Sequence, residues 1–302
     1  MKSVTNLRPG AAALGIVLDR LVGEPPAPLH PVVHFGRVMS EVEQWRYRDS
    51  TRAGFVHALI GTSLGLGAGT LVGSTTLATT LAVGGRALGD AASEVGAALA
   101  RGDIERAREL LPSLVGRDPS SLDESEIARA TVESVAENTV DAVIAPALWA
   151  AVAGARGAGG YRAINTMDAM VGHRSPRYLH YGRASARLDD VVNWAPARCT
   201  AGLVALVRPR ATLAIRDAIR TQARSHPSPN AGVAEAAFAV ALGVRLGGRN
   251  HYGERTEDRP TLGYGRAAQS DDIARAVRLS RDVSSALAAV LGALAVARWW
   301  SA

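Results

Sequence analysis

The stretch ATVESVAENTVDAVIAPALWA, residues 130–150, sets Glu133, Glu137 and Asp141 four apart in an otherwise apolar segment, with Asn138 beside them. On a helix, residues four apart stand one above another, so the spacing draws three carboxylates into one stripe. Like charges stacked in this way repel, and burying them without compensation is costly. Carboxylates that converge on a divalent cation resolve the repulsion, and Mg²⁺ favours oxygen ligands of this kind together with phosphates. Glu133, Glu137 and Asp141 are therefore candidate metal ligands. A solvated acidic helix face is the alternative, and the apolar residues between the acids weigh against it.

A second set lies in YRAINTMDAMVGHRSPRYLHYGRASARLDDVVNW, residues 161–194. Asn165 and Asp168 are three apart on a helix that Gly172 should end. His173, Arg174, Arg177, His180 and Arg183 follow, and then Asp189, Asp190 and Asn193 again share one helical face. A segment dense in Arg and His between two acidic faces can cradle phosphates, because guanidinium groups contact them bidentately. Acid pairs such as Asp189 and Asp190 are common on solvated helices; the neighbouring arginines make the pattern more specific.

Two proline-rich segments carry further polar groups. In LDRLVGEPPAPLHPVVHFG, residues 18–36, the prolines stiffen a path holding Asp19, Arg20, Glu24, His30 and His34. It reads either as a rigid site loop or as an interfacial loop with a salt bridge. In RSHPSPNAGVAEAAFAVALGVRLGG, residues 224–248, Pro227 and Pro229 fix an extended approach that includes His226. Asn230 is placed to cap the helix beginning at Ala231, and Glu235 falls in its early turns. A helix start built of small residues can receive an anion on its backbone amides.

The elements that must position these residues are mostly helices. The chain has 302 residues, 21% charged and 5% aromatic, with abundant Ala and Gly. Helices with small side chains at their contacts give such a profile, and membrane bundles favour such contacts. The net charge is +6, yet Lys2 is the sole lysine. A phosphate loop ending in Gly-Lys-Ser/Thr and a Schiff-base lysine in the body of the protein are thereby excluded. Phosphate must be held by Arg, backbone amides and metal. The arginines are dispersed among acids, with no basic run interleaved with aromatics, so no nucleic-acid partner is expected. The single Cys199 excludes an intrachain disulfide. The apolar run from Ala11 to Leu18 has no small-residue cleavage site, which argues against a removable signal peptide.

Residues 53–85 contain no formal charge, and about 20 apolar residues suffice to cross a bilayer. This stretch, flanked by Arg46, Arg48, Arg52 and Arg86, is the best transmembrane candidate; a buried Gly-rich hairpin is the soluble alternative. Residues 142–155, 199–207 and 283–297 are shorter apolar segments, the last followed by Arg298, Trp299 and Trp300, an interfacial anchor. Asp123 or Ser121 opens a helix after the loop at 118–123. Strand patterning is confined to the Gly-rich region 243–265. The expected fold is mainly α: a polytopic helical membrane protein, a single membrane-embedded domain over 1–302, with polar helical loops forming the site.

At these four motifs the chain resembles the adenosylcobinamide-phosphate synthase (cobinamide synthase) family of cobalamin biosynthesis. The resemblance runs from about residue 14 to about 265 and rests on long polar blocks in one order. The family's Asn-Ala-Gly-Trp-Pro-Glu is here Asn230, Ala231, Gly232, Val233, Ala234 and Glu235, a departure that bears on loop shape. The resemblance implies a multi-pass cell-membrane enzyme. It would join aminopropanol, or aminopropanol phosphate, to a propionate carboxylate of adenosylcobyric acid, using ATP and Mg²⁺. Its expected partners are those substrates, the lipid bilayer and other late corrinoid-pathway membrane enzymes.

For that activity Arg174, Arg177, Arg183, Asn165 and Asn230 are the candidate nucleotide and phosphate contacts. Glu133, Glu137, Asp141, Asp189 and Asp190 are the candidate Mg²⁺ ligands. Glu137, Asp141, His173 and His226 are the candidate catalytic groups, with His173 or His226 assisting deprotonation of the amine. A non-enzymatic membrane transporter or scaffold for corrinoid enzymes also accounts for apolar spans and intramembrane acids. So does a membrane phosphotransferase with an Asp-rich Mg²⁺ site.

Overall fold

The computed structural model describes residues 4–116, 118–252 and 255–301, with the side chains of 4–6, 249–252 and 255–257 left aside. The described chain is mostly helical, as expected. It runs α1 (Val4–Val22), α2 (Pro31–Arg46), α3 (Thr51–Val72), α4 (Thr75–Ala82), α5 (Gly85–Ala100), α6 (Ile104–Leu110) and α7 (Glu124–Thr139). A π turn at Val140–Ile144 leads into α8 (Ala145–Val171), followed by α9 (Arg183–Val207), α10 (Thr212–Thr221) and α11 (Ala231–Leu242). Strands β1 (Val244–Tyr252), β2 (Arg255–Leu262) and β3 (Arg266–Ala267) precede the long α12 (Ser270–Trp300).

The chain divides into two compact units that interleave along it. The first comprises Met1–Gly84, Asp141–Asn193 and Leu287–Ala302; the second comprises Gly85–Val140 and Trp194–Ala286.

In the first unit α3 packs closely on α8. Gly65 and Gly69 of α3 are buried against it. A Cβ on Gly65 would stand 2.4 Å from the Ala163 Cβ, and one on Gly69 would stand 2.3 Å from the Ala155 carbonyl oxygen. Glycines four apart let two helix backbones approach where any side chain would hold them off. Met39, Ile164 and Met167 form the buried core, with Phe35, Val42, Ile60 and Leu188 against it. The uncharged stretch 53–85 is not one helix. Gly73, at φ +67°, ends α3, and Ser74 caps α4 by accepting from the Leu77 N–H. Glycine alone adopts that backbone without strain, so the apolar composition continues where the helix does not.

In the second unit α11 packs against α7, α10 and the β1–β2 ribbon. Phe238, Leu246, Leu262 and Ile127 are fully buried there. Asp123 starts α7 with a capping box: its Oδ1 accepts from the Glu126 N–H, and its own N–H donates to Glu126 Oε2. Strand β1 lies between antiparallel β2 and parallel β3, which places the strands in the Gly-rich region marked out by sequence.

Among the described residues, three helical runs are long and apolar enough to cross a membrane: Thr51–Val72, Glu124–Val171 and Ser270–Trp300. They differ in surroundings. The most apolar window of the first is 28% buried within the protein and that of the last 17%, against 61% for the middle run. The faces of α3 and α12 that carry Phe55, Leu59, Leu71, Val290 and Leu294 are open, whereas the middle run is largely core.

Candidate functional site

Spacing along the chain stacks Glu133, Glu137 and Asp141, but the α-helical register ends at Thr139 and the π turn takes over at Val140. Glu133 and Glu137 belong to the second unit and Asp141 to the first. What α7 presents in the second unit is a pair of acids, and each has a different environment.

Glu133 is buried and satisfied. Its Oε1 accepts the Gly247 N–H at 2.8 Å, and Arg129 Nη1 stands 3.6 Å away. The β1–β2 ladder aims that N–H. The register slips between Leu246 and Gly248, and Gly247 adopts φ +82°. A side chain at Gly247 would clash with the Pro260 carbonyl oxygen, 2.0 Å from where its Cβ would stand. Arg129 also reaches the Gly247 carbonyl, tying α7 to the bulge.

Glu137, half-buried, converges with two residues from α11 and its approach. Single ligand-type atoms of Glu137, His226 and Glu235 all lie within 4.8 Å of one another. Glu235 is wholly buried, and neither of its carboxylate oxygens has a hydrogen-bond partner. His226 Nε2 is 3.4 Å from Glu235 Oε1 and is likewise buried without a hydrogen bond. Arg259, from β2, places Nη1 3.8 Å from Glu137 Oε1 and 3.9 Å from Glu235 Oε1.

The electrostatics follow from this crowding. Burial first, and then the negative charges of Glu137 and Glu133, push the Glu235 carboxyl well above the usual carboxylate range. Burial likewise holds the His226 imidazole below its ordinary value. The contact between them is therefore not an ion pair in the absence of a cation.

His226 is held in place by its own loop. Its Nδ1 lies 3.1 Å from the Ser228 carbonyl oxygen and 3.2 Å from the Ser228 N–H, so its tautomer decides which of the two it bonds. Behind the ring, a Cβ on Gly232 would stand 2.5 Å from the His226 Cβ, so the first turn of α11 accepts the ring only because position 232 lacks a side chain.

The expected side-chain cap by Asn230 does not form. Asn230 Oδ1 accepts from Arg198 Nη1 at 2.9 Å, and Ser228 Oγ instead accepts the N–H groups of Asn230 and Ala231. The cation draws the amide away, and the serine two residues earlier fills the capping role.

The first unit assembles the residues of 161–194 differently. Asp189 Oδ2 accepts from Asn193 Nδ2 at 2.9 Å, and Asp189 Oδ1 accepts from Asn165 Nδ2 at 3.4 Å. Tyr161 Oη donates to Asn193 Oδ1 at 2.9 Å, which orients that amide. The charges of Asp189 and Asp190 on α9 both reach Asp168 on α8. Burial raises the Asp189 and Asp190 carboxyls, and the nearby Arg187 and Arg174 oppose the rise at Asp190.

Arg177 is engaged elsewhere. Its Nη2 donates to Glu43 Oε1 at 2.9 Å, and its guanidinium lies over the Tyr47 ring at 4.1 Å. Tyr178 Oη donates to the same Glu43 oxygen at 3.0 Å. His173 and Arg183 are exposed, His173 meeting the Tyr178 ring edge-on at 4.9 Å. In the proline-rich entry, His30 Nδ1 caps α2 through the Val32 N–H and Nε2 faces Glu24 at 3.5 Å.

The structure thus brings Glu133, Glu137 and His226 together in the second unit and Asn165, Asp189 and Asp190 together in the first. Sequence reasoning assigned no role to Glu235, Arg259, Arg129 or Glu43. A signal existed for Glu235: it is the lone charge in AGVAEAAFAVAL, and a lone acid on an all-round apolar helix must be buried. Arg259 carried none, because a strand register had to place it.

Together these features define a mostly helical protein with open apolar helix faces and buried carboxylate clusters. Residues 12–280 match the family described as CobD/Cbib protein. The cobalamin biosynthesis protein CobD of Mycobacterium bovis is 47% identical over 309 residues, covering 98% of each chain. Proteins of the same name are 45% identical in Chromobacterium violaceum, covering 88% of this chain and 90% of the relative, and 39% identical in Halalkalibacterium halodurans, covering 86% and 88%. The chain belongs to the CobD/Cbib family. No solved structure matches it.

Proposed function

We propose that the protein is an ATP-dependent acid–amine ligase of cobalamin biosynthesis, joining aminopropanol or its phosphate to a propionate carboxylate of adenosylcobyric acid. The observation that carries this reading is the family match over residues 12–280, with relatives named for cobalamin biosynthesis along nearly their whole length. The multi-pass membrane location belongs to the same proposal, supported by the open apolar faces of α3 and α12.

A carboxylate and an amine do not condense in water unless the carboxylate is activated. In the proposed sequence the propionate oxygen attacks the γ-phosphorus of ATP, and the bond to the bridging oxygen breaks to release ADP. The amine nitrogen then attacks the acyl carbon, phosphate departs, and the proton shed by nitrogen passes to a base.

Asp189 and Asp190 of α9, whose charges reach Asp168 of α8, are the acids this reading assigns to Mg²⁺. A bound Mg²⁺ would offset phosphate charge. Arg174, near Asp190, and the exposed Arg183 would contact phosphate, and the exposed His173 would take the amine proton.

Purified protein in detergent, supplied with adenosylcobyric acid, ATP, Mg²⁺ and each amine in turn, tests the reading by mass spectrometry of the corrinoid. An amide product formed with stoichiometric ADP is expected. Corrinoid retention without product or ADP would instead indicate a transporter or scaffold.

A further inference from the structure

We propose that Glu137, Glu235 and His226 form a binding site for a borderline first-row divalent cation, of the Mn²⁺ or Zn²⁺ class, separate from Asp168, Asp189 and Asp190. The site draws on α7, on α11 and on the loop before α11. One ligand-type atom from each residue falls within a sphere small enough for a single ion to touch all three.

Two buried groups point into this space: Glu235, whose oxygens meet Glu137 only through a shared proton, and His226 Nε2, which makes no hydrogen bond. Buried polar atoms are rarely left in that state, and a carboxylate still less so. Arg259 does not remove the problem, since its Nη1 stands beyond hydrogen-bond distance from both Glu137 and Glu235. Glu133 lies outside the set of converging ligand atoms, and its Oε1 accepts the Gly247 N–H.

The histidine sets the class of ion. In the tautomer that donates Nδ1–H to the Ser228 carbonyl, Nε2 presents a bare lone pair toward the two carboxylates. A carbonyl behind the ring is the usual support of a metal-bound histidine, because it selects the tautomer and orients the ring. One imidazole and two carboxylates suit Mn²⁺, Fe²⁺, Co²⁺ or Zn²⁺ better than Mg²⁺, which prefers an all-oxygen shell rich in water. Three protein ligands leave a coordination position open for water or substrate, as in catalytic rather than structural sites.

Metal binding tests the site without corrinoid or ATP, so failure of the ligase reading leaves the result intact. The full-length protein in detergent is stripped with chelator and titrated separately with Mn²⁺, Zn²⁺ and Mg²⁺ by calorimetry, with Mn²⁺ also followed by electron paramagnetic resonance. The wild type should bind Mn²⁺ or Zn²⁺ at least ~100-fold more tightly than Mg²⁺ at a site that Glu235→Gln and His226→Gln each weaken ~100-fold, a loss no smaller than that from removing an outer-shell partner.

Glu133→Gln and Asp189→Asn should leave that site intact. Nitrogen hyperfine coupling from the imidazole should appear on the bound Mn²⁺ and vanish in His226→Gln. If Glu235→Gln does not fold, the His226→Gln arm and the hyperfine signal decide alone. Wild-type affinity for Mn²⁺ and Zn²⁺ in the folded variants, or a wild type that binds neither ion, overturns the proposal and leaves a proton on Glu235 as the neutralising charge.

Discussion

His226 Nε2 stands 3.4 Å from Glu235 Oε1, both side chains buried, and neither atom makes a hydrogen bond. Elsewhere such proximity is an ion pair. Here burial drives both partners toward their neutral forms, which makes the pair sensitive to pH and to cations.

In chelator, stability should fall as pH rises above the neutral range. An acid whose folded pKa is raised holds its proton more tightly in the native state, so its contribution is complete below the ordinary value of 4.5 and is lost as pH climbs through the folded pKa. His226 acts in the opposite sense, because its folded pKa is lowered. Its effect is confined to pH below about 6.5, where the unfolded imidazole binds protons. Above that point the acid dominates. Thermal unfolding of wild type and Glu235→Gln from pH 6.5 to 9 should therefore diverge, the wild type losing Tm with pH and the variant staying flatter; parallel curves would remove Glu235 as the cause.

Gly232→Ala should destabilise the protein. In an open helix the change is favourable by about 1 kcal/mol. Here the new Cβ would stand 2.5 Å from the His226 Cβ and 2.8 Å from its Cγ, so the ring must leave its seat. Overpacking of this kind costs about 1–3 kcal/mol, which outweighs the helical gain. Denaturant unfolding reads the sign directly, and a stabilised variant would show that the ring moves at little cost.

Glu137→Gln should reduce turnover by ~100-fold or more, a loss at least as large as that from removing an outer-shell partner, while the fold is kept. The amide preserves shape but cannot supply the charge a divalent cation needs. Turnover across a cation titration, with circular dichroism as the folding control, separates this from an acidic face that does nothing but meet solvent, for which the variant would match wild type.

Arg177→Ala should lower Tm more than it changes the ATP requirement, and Arg174→Ala should do the reverse. Arg177 holds Glu43, a buried carboxylate that Tyr178 also donates to, whereas Arg174 is exposed near the acidic face of α9. Removing the guanidinium leaves the Glu43 charge poorly compensated. Steady-state kinetics and melting curves for the two variants would show whether the roles divide in this way.

The protein should sediment with membranes and require detergent. The windows of α3 and α12 leave most of their apolar surface outside the protein's own core, and lipid is the solvent that tolerates it. A monodisperse protein recovered without detergent would count against the membrane reading.

The helical class, the loop-and-cap opening of α7 at Asp123, the end of α8 at Gly172 and the strand region after Gly243 were all legible in the sequence, because each depends on local chemistry. So was the family, because long polar blocks in a set order are carried by the chain itself. The acidic stripe was legible only in part. Periodicity assumes an unbroken α-helix, and the π turn at Val140 ends that assumption one residue before Asp141. Asn230 had the right type and place for a cap, but Arg198 lies 32 residues away, and no local pattern could show that it claims the amide. The choice between a satisfied acid and an exposed electrostatic problem was made entirely by tertiary structure. Glu133 and Glu137 are near-identical in sequence context, yet a glycine bulge in β1 delivers an N–H to one, while α11 delivers Glu235 and His226 to the other. Spacing along a chain determines which residues can share a face; only the packing of a second element decides what that face meets.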